Sequence, residues 1–192
     1  MNLPNRLTVM RIIMTPLFMA AMMIEFPHHY LVALVLFIVA SLTDMLDGKI
    51  ARARNLVTNF GKFLDPLADK MLTTSAFLGF LAKGFGFGIV WVLFIVLFRE
   101  FMIASLRLVA VSSENKKVIP ANMWGKVKTV TQMAAIIIGL AVMYVGGLVS
   151  SEAVNNILML VFNIVLWVST VVAVISGAIY MKDSFEFIDP SK

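Results

Sequence analysis

The sequence predicts an all-α integral membrane protein with six transmembrane helices. Three observations carry that expectation. Of 192 residues, 60% are apolar and only 14% are charged, against about 25% charged in a soluble domain. The mean hydropathy is +0.94. The apolar residues fall into six blocks, each near the ~20 residues that a helix needs to cross a bilayer. Together these exclude a soluble globular domain, a disordered chain and a nucleic-acid binder. At this length a single membrane-embedded domain over residues 1–192 is expected.

The first helix is expected over 6–24, with Pro16 inside it as a kink. Residues 1–5 are short and polar, and no small-residue cleavage site follows them, so no cleavable leader is expected. The second helix is expected over 30–52 and the third over 59–82. The fourth covers 87–111, the fifth 123–145 and the sixth 154–181. Several connections are short and carry Gly or Pro, as at 25–29 and 83–86. Gly84-Phe-Gly86-Phe-Gly88 follows no strand, so it reads as a turn and not as a phosphate loop. Asn163 and Ser176 on the sixth helix read as interhelical hydrogen-bonders.

Basic residues orient these helices. Of the sixteen Lys and Arg, only Lys83 falls on the opposite side from the rest. By the positive-inside rule both termini face the cytoplasm of a cell membrane, and the net charge of +5 reflects sidedness and anionic lipid. The adjacent His28 and His29 fall on the far side. Zero cysteines exclude a disulfide framework, a thiolate metal site and a cysteine nucleophile.

The second and third helices depart from plain topology. Residues 30–43 carry no charge, and then Asp44 and Asp47 follow within four positions. The third helix is the mirror image, with Asp65 and Asp69 preceding an apolar run from Met71. Neither can cross a ~30 Å core without its charged half entering or bordering it. At about 100° per residue, Asp44, Asp47, Gly48 and Ala51 share an arc of about 100°. Gly61, Asp65 and Asp69 likewise share one face. The short connection predicts that the two helices are antiparallel neighbours, with their four carboxylates converging at one depth. Pro66 frees a backbone carbonyl nearby. Four such carboxylates in a low dielectric need cations. An all-oxygen donor set favours Mg²⁺ or Mn²⁺, and these ions serve phosphate chemistry.

A basic set lies near the same level: Arg11 on the first helix, Arg99 and Arg107 on the fourth, Lys126 and Lys128 at the start of the fifth. It suits an anionic co-substrate. Arg107 and Lys128 are the leading candidates for a second phosphate, with Arg11 and Lys126 assisting. Ion pairing, Arg99 with Glu100 for instance, is the alternative use of these charges.

As one string, Asp44-x2-Asp47-Gly48-x2-Ala51-Arg52-x8-Gly61-x3-Asp65-x3-Asp69 resembles the signature of the CDP-alcohol phosphatidyltransferase family at all eight fixed positions. Three further segments resemble the bacterial branch of that family whose acceptor is sn-glycerol 3-phosphate. They are Leu3-Pro4-Asn5-Arg6-Leu7-Thr8-x2-Arg11, Arg99-Glu100-x6-Arg107 and Trp124-Gly125-Lys126-x-Lys128-Thr129. The resemblance implies a six-helix fold and transfer of a phosphatidyl group from CDP-diacylglycerol to sn-glycerol 3-phosphate, with CMP released. It implies that Asp44, Asp47, Asp65 and Asp69 hold one or two divalent ions on the diphosphate, and that Asp69 is the base. Gly48, Ala51, Arg52 and Gly61 would shape the CDP pocket. Membrane lipids are the surrounding partners, and the resemblance also suggests a homodimer.

Two rival readings use the same residues. Another member of the family could take inositol phosphate, serine or choline; a neutral or zwitterionic acceptor would not need Arg107, Lys126 and Lys128. A small cation-coupled transporter could use the four acids, but alternating access favours a site near the midplane, whereas these acids and most basic residues lie toward one face.

Overall fold

The computed structural model describes residues 2–53, 58–112 and 123–184, and their side chains except at 45–53, 59, 62 and 110–112. Among the described residues there are six helices and no strand: α1 (Leu3–Met23), α2 (His29–Ala53), α3 (Asn59–Ala82), α4 (Ile89–Ser112), α5 (Met123–Gly146) and α6 (Glu152–Asp183). The predicted elements are all present, with ends shifted by at most three residues. The largest shift is at α1. There the Asn2 side chain accepts the Asn5 N–H at 3.1 Å and Pro4 sits in the first turn, so the short polar stretch before the expected helix includes its capped start. The helix runs through Pro16 without interruption.

The protein is a multi-pass membrane protein. Four helices, α1, α4, α5 and α6, are long and apolar enough to cross a bilayer. In α2 the described side chains, His29–Asp44, form a shorter apolar stretch. The connection between α3 and α4 turns on Gly84, Gly86 and Gly88, all with positive φ (61°, 107° and 66°), a conformation in which other residues are strained. Asn163 and Trp167 of α6 clamp that turn. The Phe87 N–H donates to Asn163 Oδ1 at 2.7 Å, and Trp167 Nε1 donates to the Phe87 carbonyl at 3.0 Å. His28 meets Tyr144 at this same end.

The packing order corrects one expectation. The short connection predicted α2 and α3 as neighbours, yet α1 lies between them and packs extensively on both, while α2 and α3 touch only lightly. Loop length fixes how far apart two helix ends are, and a third helix can still occupy the seam. The buried surfaces carry small residues, among them Ala33, Ala40, Ala76 and Ala135, which let the backbones approach. Phe18, Phe37, Phe77, Phe80 and Phe162 fill the space between. Phe80 and Phe162 meet edge-on at 5.4 Å. A Cβ on Gly139 of α5 would lie 2.6 Å from both rings. Gly139→Val should therefore overpack this junction and cost about 1–3 kcal/mol, read as a lower melting temperature in detergent.

Candidate active site

The charged halves of α2 and α3 meet the ends of α4 and α5 around one cavity of about 580 Å³. Its acidic wall carries Asp44 from α2 and Asp65 and Asp69 from α3, with Pro66 beside them. Its basic wall carries Arg99 and Arg107 from α4 and Lys126 and Lys128 from α5. Residues as far apart in sequence as Asp44 and Lys128 are thus brought to one end of the bundle.

Helix α1 builds the acidic wall from behind. Asn5, Thr8, Arg11 and Thr15 form a buried polar stripe along it, each 6% exposed or less. Thr8 Oγ1 donates to Asp65 Oδ1 at 2.7 Å. Arg11 Nη1 pairs with Asp44 Oδ1 at 2.5 Å. Asn5 and Thr58 exchange hydrogen bonds at 3.1 Å, and Thr58 Oγ1 accepts the Gly61 N–H at 3.0 Å, which caps α3. Two of the three described acids are therefore held by side chains of α1. Their recurrence every three or four residues on an otherwise apolar helix is the sequence signal that marks them.

Asp69 differs from the other two. Among the described residues its carboxylate makes no hydrogen bond or ion pair, and it lies in the field of Asp44. Pro66 lacks an N–H and so cannot donate to the Lys62 carbonyl one turn earlier. Among the described residues no group of three metal ligands is already gathered close enough to hold an ion. The donor set nevertheless fits a hard divalent cation. It is all oxygen, it lies on one cavity wall, and of its three described members only Asp44 has a cation on it. Asp47, Gly48, Ala51 and Arg52 lie on the last turns of α2, and their side chains fall outside the described ones.

The structure relocates two of the expected residues. Arg11 is fully buried behind Asp44 and is not among the residues lining the cavity, so it serves an acid and not the open basic wall. Gly61 is also absent from the lining. A Cβ there would lie 2.9 Å from Asn5 Oδ1 and 3.3 Å from Thr58 Oγ1, so the glycine leaves room for the Asn5–Thr58 hydrogen bonds beside Asp65.

On the basic wall, Arg107 donates Nε to the Tyr180 hydroxyl at 3.2 Å, with its guanidinium 5.6 Å from that ring's centroid. Tyr180 is buried, so it aims an otherwise exposed arginine. Lys126 is exposed, while Lys128 is 9% exposed. Arg99 donates to Ser176 at 2.9 Å, the interhelical role expected of that serine. Glu100, read from the sequence only as a neighbour of Arg99, sits in the middle of this wall and pairs with both Arg99 and Lys128.

A model of the CDP-alcohol phosphatidyltransferase family matches residues 1–176. The chain is 37% identical to a CDP-diacylglycerol–glycerol-3-phosphate 3-phosphatidyltransferase of Bacillus subtilis strain 168, covering 99% of this chain and 98% of that protein. It is 38% identical to a protein of the same name from Rickettsia bellii, covering 94% of each. It is 40% identical to a probable phosphatidylglycerophosphate synthase of Mycobacterium tuberculosis, covering 76% of this chain and 68% of that one. With the match running through all six helices, and the signature acids standing where α2 and α3 reach the cavity, the chain belongs to the CDP-alcohol phosphatidyltransferase family.

Proposed function

We propose that this protein makes phosphatidylglycerophosphate, transferring the phosphatidyl group of CDP-diacylglycerol to sn-glycerol 3-phosphate and releasing CMP. The observation that carries the reading is the single cavity with carboxylates on one wall and cations on the other. Such a cavity suits a reaction that joins two phosphate-bearing substrates. The relatives that align over nearly the whole chain bear the name of this activity. One membrane-embedded catalytic domain would suffice, since a single cavity draws on four of the helices.

Divalent ions, Mg²⁺ or Mn²⁺, held by Asp44, Asp47, Asp65 and Asp69, would neutralise the donor's diphosphate. Thr8 and Arg11 hold Asp65 and Asp44 in place for that task. Gly48, Ala51 and Arg52, one to two turns beyond Asp44, would border the cytidine. Asp69, free of other partners among the described residues, takes the proton of the acceptor hydroxyl. The hydroxyl oxygen then forms a bond to the phosphatidyl phosphorus. The bond from that phosphorus to the bridging oxygen breaks, and CMP leaves with the electron pair. Positioning and charge do most of this work, so neither Cys nor His is needed, and direct attack needs no phospho-enzyme. Arg107, Lys126 and Lys128 answer the acceptor's own phosphate.

Fifteen of the sixteen basic residues fall on one side in the sequence reading, and Lys70, Arg99, Arg107, Lys126 and Lys128 among them line the cavity, which supports a cytoplasmic site and cytoplasmic termini in the cell membrane. A homodimer is part of the same reading, on family resemblance. The test is CMP release by the purified protein in mixed micelles of CDP-diacylglycerol, with Mg²⁺ and a panel of acceptors. Glycerol 3-phosphate should far exceed glycerol, serine and inositol phosphate. Equal use of glycerol or serine overturns the assignment.

A further inference from the structure

Among the described residues lining the cavity, Glu100 is the sole acid outside α2 and α3. Its Oε1 accepts from Lys128 Nζ and from Arg99 Nη1, the latter at 2.9 Å, and Lys70 Nζ lies 3.9 Å from Oε2. These three cations depend on it to different degrees. Arg99 also donates Nη2 to Ser176 at 2.9 Å, so α6 holds it without Glu100. The Lys70 side chain is 40% exposed, and water can satisfy it. Lys128 is buried, and among the described residues Glu100 is its only side-chain partner. A buried ammonium needs an anion beside it. Glu100 supplies one, and a phosphate oxygen can supply one equally well, because lysine acts as a flexible point charge.

We propose that Glu100 is a resident counter-anion that holds Lys128 until the acceptor's phosphate takes Lys128 over, and so sets how tightly the cavity holds any phosphate. The inference rests on the proposed function, in which the acceptor carries a phosphate. A phosphate entering the cavity must compete with a carboxylate already in place. Free phosphate is therefore held weakly, and the terminal phosphate of the product is released when Glu100 recloses on Lys128. Glu100 in this role positions Lys128 and does not itself touch the reacting atoms.

Inorganic phosphate is the probe. Its dissociation constant is measured by titration calorimetry on the full chain in detergent with Mg²⁺, and its inhibition constant is measured against glycerol 3-phosphate. Glu100→Gln keeps the shape and withdraws the charge. It should tighten phosphate about tenfold, the scale of one charge-assisted contact. Glu100→Asp keeps the charge and should bring the affinity back toward the native value. Adding Lys128→Met to Glu100→Gln should cancel the gain. A merely structural role for Glu100 would lower the melting temperature and leave phosphate no tighter, and that result overturns the proposal. So does a gain that survives loss of the Lys128 charge. Should Glu100→Gln fail to fold, Lys128→Met alone decides: phosphate affinity must fall about tenfold, and an unchanged value rejects the idea. The acceptor panel judges the reaction separately, because it is read on the native chain, whereas phosphate affinity is read without acceptor turnover.

Discussion

Asp69→Asn is expected to lower kcat by roughly 10²–10⁴-fold, the usual contribution of a positioned general base. The substitution keeps the volume of the side chain and removes both its basicity and its charge toward a divalent ion. Because Asp69 makes no ion pair or hydrogen bond among the described residues, the melting temperature should barely change. Asp44→Asn should behave differently. It takes the charge from a carboxylate paired with the fully buried Arg11, so it should lose stability as well as activity. Asp65→Asn should fall between them, since Thr8 can still donate to the amide oxygen. The measurement is kcat for CMP release beside a thermal melt of each variant. Chelator should abolish native activity, and Mg²⁺ or Mn²⁺ should restore it. Full turnover by Asp69→Asn would remove it as the base, and full turnover in chelator would remove the metals.

The acids on α2 and α3 stood out because of their cost, and the three with described side chains, Asp44, Asp65 and Asp69, line the cavity. Aspartates in an apolar chain are expensive, and their spacing of three or four residues leaves them one face to share. The helices were legible for a related reason: in lipid each backbone amide must be satisfied within its own segment, so apolar blocks of about 20 residues have one solution. Helix adjacency was not legible. Nothing in the connection between α2 and α3 says that α1 will occupy their seam, and the polar stripe of Asn5, Thr8 and Arg11 gains its meaning only from that placement. The same placement sets Gly61, which the family resemblance tied to nucleotide space, beside Asn5 and Thr58. Glu100 was missed because its chain neighbour Arg99 offered a sufficient local partner. Its pairing with Lys128 spans 28 positions and depends on how α4 and α5 face each other. Charges whose partners lie on other helices are where reading one helix at a time stops.

The acceptor end of the cavity gives the second large effect. Arg107→Ala should raise the KM for glycerol 3-phosphate by roughly 10–100-fold, corresponding to one lost charge-assisted contact of about 1.5–3 kcal/mol. The KM for CDP-diacylglycerol should move much less, because in the proposed reaction the donor's diphosphate would face the acids on the opposite wall. Arg107 is the better handle than Lys128 for this purpose. Its guanidinium is aimed by the buried Tyr180 and is already exposed to the cavity, whereas Lys128 is occupied by Glu100. Tyr180→Phe keeps the ring and removes only the hydroxyl that accepts from Nε, so it should shift the acceptor KM in the same direction by a few-fold. Arg107→Lys should recover only part of the loss, since an ammonium offers no planar fork to a phosphate. Steady-state kinetics with each substrate varied in turn separates the two constants. An acceptor KM unchanged in Arg107→Ala, or a donor KM that rises just as far, would place the acceptor's phosphate somewhere other than against α4.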